Sequence, residues 1–100
     1  MIKETLRVSV IIPSYNQKEY IARTLRSVLE QDYQNFEIIL VDGGSTDGTL
    51  AVVNEFRDRI AIIVSEKDDG QASAINKGFN LATGDIIGWI NSDDTFTREA

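Results

Sequence analysis

Four short apolar runs, alternating with stretches of helical periodicity, most constrain how this chain can fold. The runs are Val8-Ser9-Val10-Ile11-Ile12, Ile38-Ile39-Leu40-Val41, Ile60-Ala61-Ile62-Ile63-Val64 and Ile86-Ile87-Gly88-Trp89-Ile90. Each is short, rich in β-branched residues and not cleanly alternating, as strands buried on both faces read. Between Lys18 and Gln31, Ile21, Leu25, Val28 and Leu29 recur at i, i+4, i+7 and i+8, the spacing of one helical stripe. Asn16, three residues before Glu19, resembles the start of a capping box. A second helix is expected from about Gly48 to Arg57, with Leu50, Val53 and Phe56 inward and Asp47 as cap. A third is expected from about Gln71 to Ala82, with Ala72, Ile75, Phe79 and Ala82 on one face and Gly84 as a stop signal. Strand–helix alternation of this kind builds a mostly parallel four-stranded sheet through right-handed crossovers. The result is a Rossmann-like α/β sandwich of three layers, αβα.

In open α/β sheets, ligands bind beyond the carboxyl ends of the strands, where strand order reverses. The segments following the four runs are therefore the candidate site: Pro13-Ser14-Tyr15-Asn16, Asp42 to Gly48, Ser65 to Gln71, and Asn91-Ser92-Asp93-Asp94. With Glu19, they bring eight acids to one edge: Asp42, Asp47, Glu66, Asp68, Asp69, Asp93 and Asp94 are the others. Neither G-x-G-x-x-G nor a P-loop occurs.

Like charges ~5 Å apart repel by roughly 3 kcal/mol at an effective dielectric near 20. A few such repulsions cancel the ~8 kcal/mol of a micromolar ligand. A diphosphate can therefore enter an acidic crevice only with a divalent cation between them. The chain has no histidine and no cysteine, so such a cation takes oxygen ligands, which favours Mg2+ or Mn2+ over zinc. The same absence rules out a Ser-His-Asp or Cys-His hydrolase within these residues. A net charge of −6 with no dense basic cluster argues against a nucleic-acid partner. The first apolar run is too short for a signal peptide or a membrane span, so a cytoplasmic protein is expected, at most at the inner membrane face. The 100 residues read as one domain. Thr97 to Ala100 read like the first turn of a further helix, so a longer protein is expected.

Several candidates keep two readings. Asp93-Asp94 can hold a cation or can end a strand with Asp94 capping the next helix, and a cap needs only one acid. Asp42 can accept hydrogen bonds from a base or ribose, or can organise the turn before Gly43-Gly44. Asp69 is a ligand contact or a first-turn acid. Tyr15 stacks on a base or simply packs. Ser45, Thr46 and Asp47 favour cap chemistry. Gly70-Gln71 opens a helix whose amides point into the crevice. Gly78, mid-helix beside Asn76-Lys77, marks close packing or ligand approach. Trp89 is expected in the core.

Taken together, VSVIIPSYNQKEYIARTLRSVLEQ, FEIILVDGGSTDGT and SEKDDGQASAINKGFNLATGDIIGWINSDD resemble the N-terminal half of a family 2 glycosyltransferase with the GT-A fold. Four matching pieces in order make the resemblance specific, and it spans about Arg7 to Thr95. It implies a nucleotide-sugar-binding domain, for a UDP-sugar above all, using Mg2+ or Mn2+. It implies Pro13, Tyr15 and Asn16 along the nucleoside, Asp42 on the base, Asp69 and Gln71 beside base and ribose, and Asn76 on the following helix. Asp93 and Asp94 match the D-x-D-type element, one near ribose or sugar and the other on the metal. Asn91 departs from the family's pattern, in which many members carry a further Asp, so the metal rests on Asp93 and Asp94, with Asp94 preferred. The resemblance further implies an inverting enzyme whose base and saccharide or lipid-linked acceptor site lie beyond these residues, leaving this stretch inactive alone. The alternatives are a nucleotidyltransferase, which ordinarily carries a Gly- and basic-rich loop after its first strand, and a non-catalytic nucleotide-binding module.

Overall fold

The computed structural model describes residues 6–30, 35–67 and 70–91, and for Gln71 the backbone alone. Its elements are β1 (Val8–Ser14), α1 (Ile21–Leu29), β2 (Phe36–Asp42), α2 (Thr49–Asn54), β3 (Ile62–Ser65), α3 (Gln71–Leu81) and β4 (Ile86–Trp89). The strands form one sheet in the order β3-β2-β1-β4, with every pairing parallel. Val10, Ile12, Ile38 and Leu40 pack on Ile21, Leu25 and Val28 of α1 and Val53 of α2. On the other face Ile39 and Val41 meet Ala74 of α3, so the predicted three-layer αβα sandwich is present.

The periodicity of α1 holds, since Ile21, Leu25 and Val28 are buried. The capping box does not form. The helix begins at Ile21, and Tyr20 at its N-cap makes no side-chain cap bond. Asn16 adopts a left-handed backbone (φ 52°) and turns its side chain to another loop. The second helix is shorter than expected, ending at Asn54 before a 3-10 turn over Arg57–Arg59. Asp47 does supply the first-turn bond, accepting Thr49 N–H at 3.0 Å.

The inward face of α3 differs from the expected one. Ala74 is buried, whereas Phe79 is 44% exposed, and Ala72 is exposed as well. The reason is proximity: a Cβ on Gly78 would lie 2.5 Å from Ile11 Cγ2. The helix sits so close to β1 that only small residues fit beneath it, and the large apolar side chains turn to its flanks and outer side. Gly84 is likewise no helix stop, being three residues past the end of α3. A Cβ there would lie 2.7 Å from Arg7 O and Ser9 N, so it is the chain's close approach to β1 that requires glycine.

The outer strands also depart from expectation. Burial on both faces describes β1 and β2, but Ile86 is 51% and Trp89 50% exposed. Among the described residues β4 pairs with β1 alone, while α3 packs over β1 and β2, so Trp89 lies outside the core.

Candidate functional site

Strand order decides where a ligand can bind. The chain runs outward from β1 to β2 to β3, then returns across the sheet through α3 to place β4 on the far side of β1. The reversal lies between β1 and β4, so the crevice opens where those strands end. Ile11 pairs with Trp89 in the register, which brings the 13–16 segment and the segment starting at Ile90 out side by side. Adjacent strands lie ~4.8 Å apart.

Register also aligns Ser14, Asp42 and Ser65 in one row at the carboxyl ends of β1, β2 and β3. Asp42 is completely buried. Its Oδ2 accepts Gly44 N–H at 3.0 Å, Ser45 N–H at 2.8 Å and Ser65 O–H at 3.1 Å, while Oδ1 accepts Ser45 O–H at 2.5 Å. Of the two readings of Asp42, this geometry is that of the turn organiser: its carboxylate folds the loop after β2 back on itself. Ser65 had no signal in the sequence, because its role depends on the register of β3 against β2. The Ser14 hydroxyl is buried in the same row and has no hydrogen-bond partner.

The loops after β1 and β2 are laced together. Asn16 N–H donates to Ser45 Oγ at 2.8 Å, and Asn16 Oδ1 accepts Thr46 N–H at 2.8 Å. Gln17 N–H donates to Thr49 Oγ1 at 2.9 Å and Lys18 N–H to Asp47 Oδ2 at 3.2 Å. The Thr49 hydroxyl donates to Asp47 and, chiefly through that bond, holds the Asp47 carboxyl below its ordinary pKa. Thr49, fully buried, is a second residue that sequence reasoning missed. Four hydrogen bonds thus make the two loops one wall, and Tyr15 stands out of it, 57% exposed.

The other predicted residues fare differently. Pro13 is buried within β1, beyond the last pairing of β4, so its missing N–H costs no ladder bond to that strand. Asn76 is exposed on α3, on the side away from the buried Ala74 and Gly78. Gln71 begins α3 at the carboxyl edge, where the helix dipole is positive. Its side chain, and Asp69, Asp93 and Asp94, lie outside the described residues. Glu66 pairs with Lys77 at 3.0 Å. Of the four acids of the crevice that are described, Asp42, Asp47 and Glu66 therefore already have donors, and Glu19 is exposed. Among the described residues no three acids gather as a metal site. The uncompensated charge of the crevice therefore concentrates in Asp68, Asp69, Asp93 and Asp94. An all-oxygen donor set of that kind suits a hard cation.

Comparison with known proteins meets this geometry. The sequence profile of glycosyl transferase family 2 matches residues 9–100. The Escherichia coli UDP-Glc:alpha-D-GlcNAc-diphosphoundecaprenol beta-1,3-glucosyltransferase WfgD is 41% identical over 88 residues, covering 87% of this chain and 35% of that protein. The S. aureus TarS structure (1-349) in complex with UDP-GlcNAc superposes with a TM-score of 0.84 at 31% identity, over 94% of this chain and 28% of that one. The mannosyltransferase PcManGT of Pyrobaculum calidifontis, in complex with GDP-Man and Mn2+, gives 0.84 at 34% identity, over 96% and 31%. The chain thus spans about a third of the length of these relatives. No described helix is long and apolar enough to cross a membrane.

Proposed function

The chain belongs to glycosyl transferase family 2, and on that premise we propose that it forms the donor-binding part of an enzyme moving a sugar from a nucleotide diphosphate to an acceptor hydroxyl. The observation that carries this reading is the reversal of strand order between β1 and β4, which sets the 13–16 loop beside the segment leading to Asp93-Asp94. Tyr15 offers its ring to the base from a wall held rigid by Asn16, Asp42 and Asp47. Pro13 sets the exit of β1, and Asn76 and Gln71 belong to the helix bounding the other side.

Asp93 and Asp94 would hold Mg2+ or Mn2+, with Asp69 nearby, and such a cation would neutralise the diphosphate as it departs. The chain's own task is binding and orientation of the donor. Inversion at the anomeric carbon, with proton removal by a carboxylate beyond Ala100, is the expected stereochemical course. A UDP-sugar as donor and a lipid-linked saccharide as acceptor agree with the name of the E. coli relative. A cytoplasmic site, at the membrane face, suits such an acceptor.

Titration calorimetry with UDP, with and without Mn2+, tests the reading. Native protein should bind with Mn2+ and at least tenfold more weakly without it. Asp93→Ala and Asp94→Ala should lose the metal-dependent part. Equal, metal-independent binding by native and substituted proteins would leave only a nucleotide-binding module.

A further inference from the structure

At the end of the sheet opposite the candidate site, one carboxylate ties three segments together. Glu37, on β2, is buried. Its Oε2 accepts Ser9 O–H at 2.6 Å, Thr83 N–H at 2.8 Å and Thr83 O–H at 3.0 Å, while Oε1 accepts Arg7 Nη2 at 3.3 Å. Ser9 Oγ in turn accepts Gly84 N–H at 2.8 Å. One residue on, Asp85 N–H donates to Arg7 O at 2.7 Å, and Arg7 N–H donates to Asp85 Oδ2 at 2.9 Å. The chain is therefore pinned to β1 and β2 through Thr83, Gly84 and Asp85, immediately before β4 starts.

This matters because β4 has little else to fix it. Four residues long, it pairs with β1 from Val8 with Ile86 to Ile11 with Trp89. Burial normally sets register, since a slip of one residue exchanges the faces of every side chain. Here Ile86 and Ile87 are equivalent in apolarity, and Ile86 and Trp89 are half exposed as they stand. A slip would cost little burial, yet it would shift everything after Trp89 by ~3.3 Å and onto the other face. The polar anchor, rather than the hydrophobic pattern, distinguishes the registers.

We propose that Glu37 is a positioning residue, whose hydrogen bonds to Ser9 and Thr83 fix the register of β4 on β1 and thereby place Asp93-Asp94 at the donor site. The consequence for ligand binding rests on the donor-site reading above; the register itself does not. The Arg7 contact is secondary, being long and half in solvent. Removing the carboxylate leaves the buried Ser9 hydroxyl and Thr83 N–H without their acceptor, which favours any register or opening that lets them find water.

Amide hydrogen exchange and Mn2+ titration by electron paramagnetic resonance, on native protein, Glu37→Ala, Glu37→Gln and Asp94→Asn, test this at a temperature where circular dichroism shows each folded. In Glu37→Ala, the amides of residues 86–90 should lose at least tenfold more protection than those of residues 38–41, and Mn2+ affinity should fall at least tenfold. Glu37→Gln keeps one acceptor oxygen and should fall between, which also serves should the Ala variant not fold. Asp94→Asn should lose Mn2+ binding with native exchange throughout. Uniform loss of protection across β2 and β4 would mean a merely structural carboxylate and overturn the proposal. Should native protein bind no Mn2+, the donor-site reading fails, and exchange at residues 86–90 alone decides the register.

Discussion

Gly78 on α3 and Ile11 on β1 touch so closely that the space of one is set by the other: a Cβ at position 78 would lie 2.5 Å from Ile11 Cγ2 and 2.8 Å from its Cγ1. Gly78→Ala gains up to about 1 kcal/mol of helix propensity. It also forces a fully buried side chain aside, at about 1–3 kcal/mol. The substitution should therefore destabilise the protein by about 1–2 kcal/mol in urea unfolding. Combining it with Ile11→Val should cost less than the sum of the two single changes. Additive effects would mean that the helix simply moves away.

Glu37 gives a pH dependence whose sign is fixed. Burial by itself raises its pKa, but hydrogen bonds from Ser9, Thr83 and Arg7 outweigh that and lower it to about 2, from an ordinary 4.5. A folded-state pKa below the unfolded one contributes stability that is complete above about 4.5 and is lost as pH falls towards 2. The contribution is on the order of 3 kcal/mol. Glu37→Gln should unfold at clearly lower urea than native protein at pH 7, and the gap should narrow by pH 3. A constant gap would place the loss in packing rather than charge.

Asn16 serves its loop through both conformation and side chain. At φ 52° it occupies the left-handed region, where asparagine and glycine are tolerated and β-substituted residues are strained. Asn16→Ala loses the bond to Thr46 N–H and adds strain, so about 1–2 kcal/mol should be lost. Asn16→Gly loses the bond alone and should retain more stability. Thermal unfolding of the pair separates the two contributions, and an Ala variant as stable as the Gly variant would remove the backbone part.

Tyr15 projects from the loop with more than half its surface in water, so Tyr15→Ala should leave stability within about 0.5 kcal/mol. A stacked base is worth ~1–3 kcal/mol. Affinity for UDP in the presence of Mn2+ should then fall between about fivefold and a hundredfold by calorimetry. Unchanged affinity would mean that the ring does not meet the base.

Ser14 carries a buried hydroxyl without a partner, a group that costs about 1–3 kcal/mol when left unmade. Ser14→Ala should therefore be neutral or stabilising by about 1 kcal/mol in urea unfolding. Marked destabilisation would point to an ordered water bonded to that hydroxyl.

Local periodicity was enough to specify the elements and their order. The four β-branched runs became strands within a few residues of their expected ends, and Ile21, Leu25 and Val28 turned inward as their spacing required. The segments that could border a ligand were legible too, because a parallel α/β sheet puts every strand's carboxyl end on one edge. Tertiary structure alone decided the rest. Glu37 in a buried apolar run was a visible anomaly, but its partners Ser9 and Thr83 lie 28 and 46 residues away and meet it only in this strand order. Asn16 bonds to Thr46 across two loops instead of capping its own helix, and Asp42 spends its carboxylate on its own turn and on Ser65. Trp89 reads as core from composition, yet β4 lies at the edge of the described sheet, where α3 does not reach. Sequence spacing reports which side of an element is apolar; which neighbour covers that side, and which polar groups find one another, depends on contacts between residues far apart in the chain.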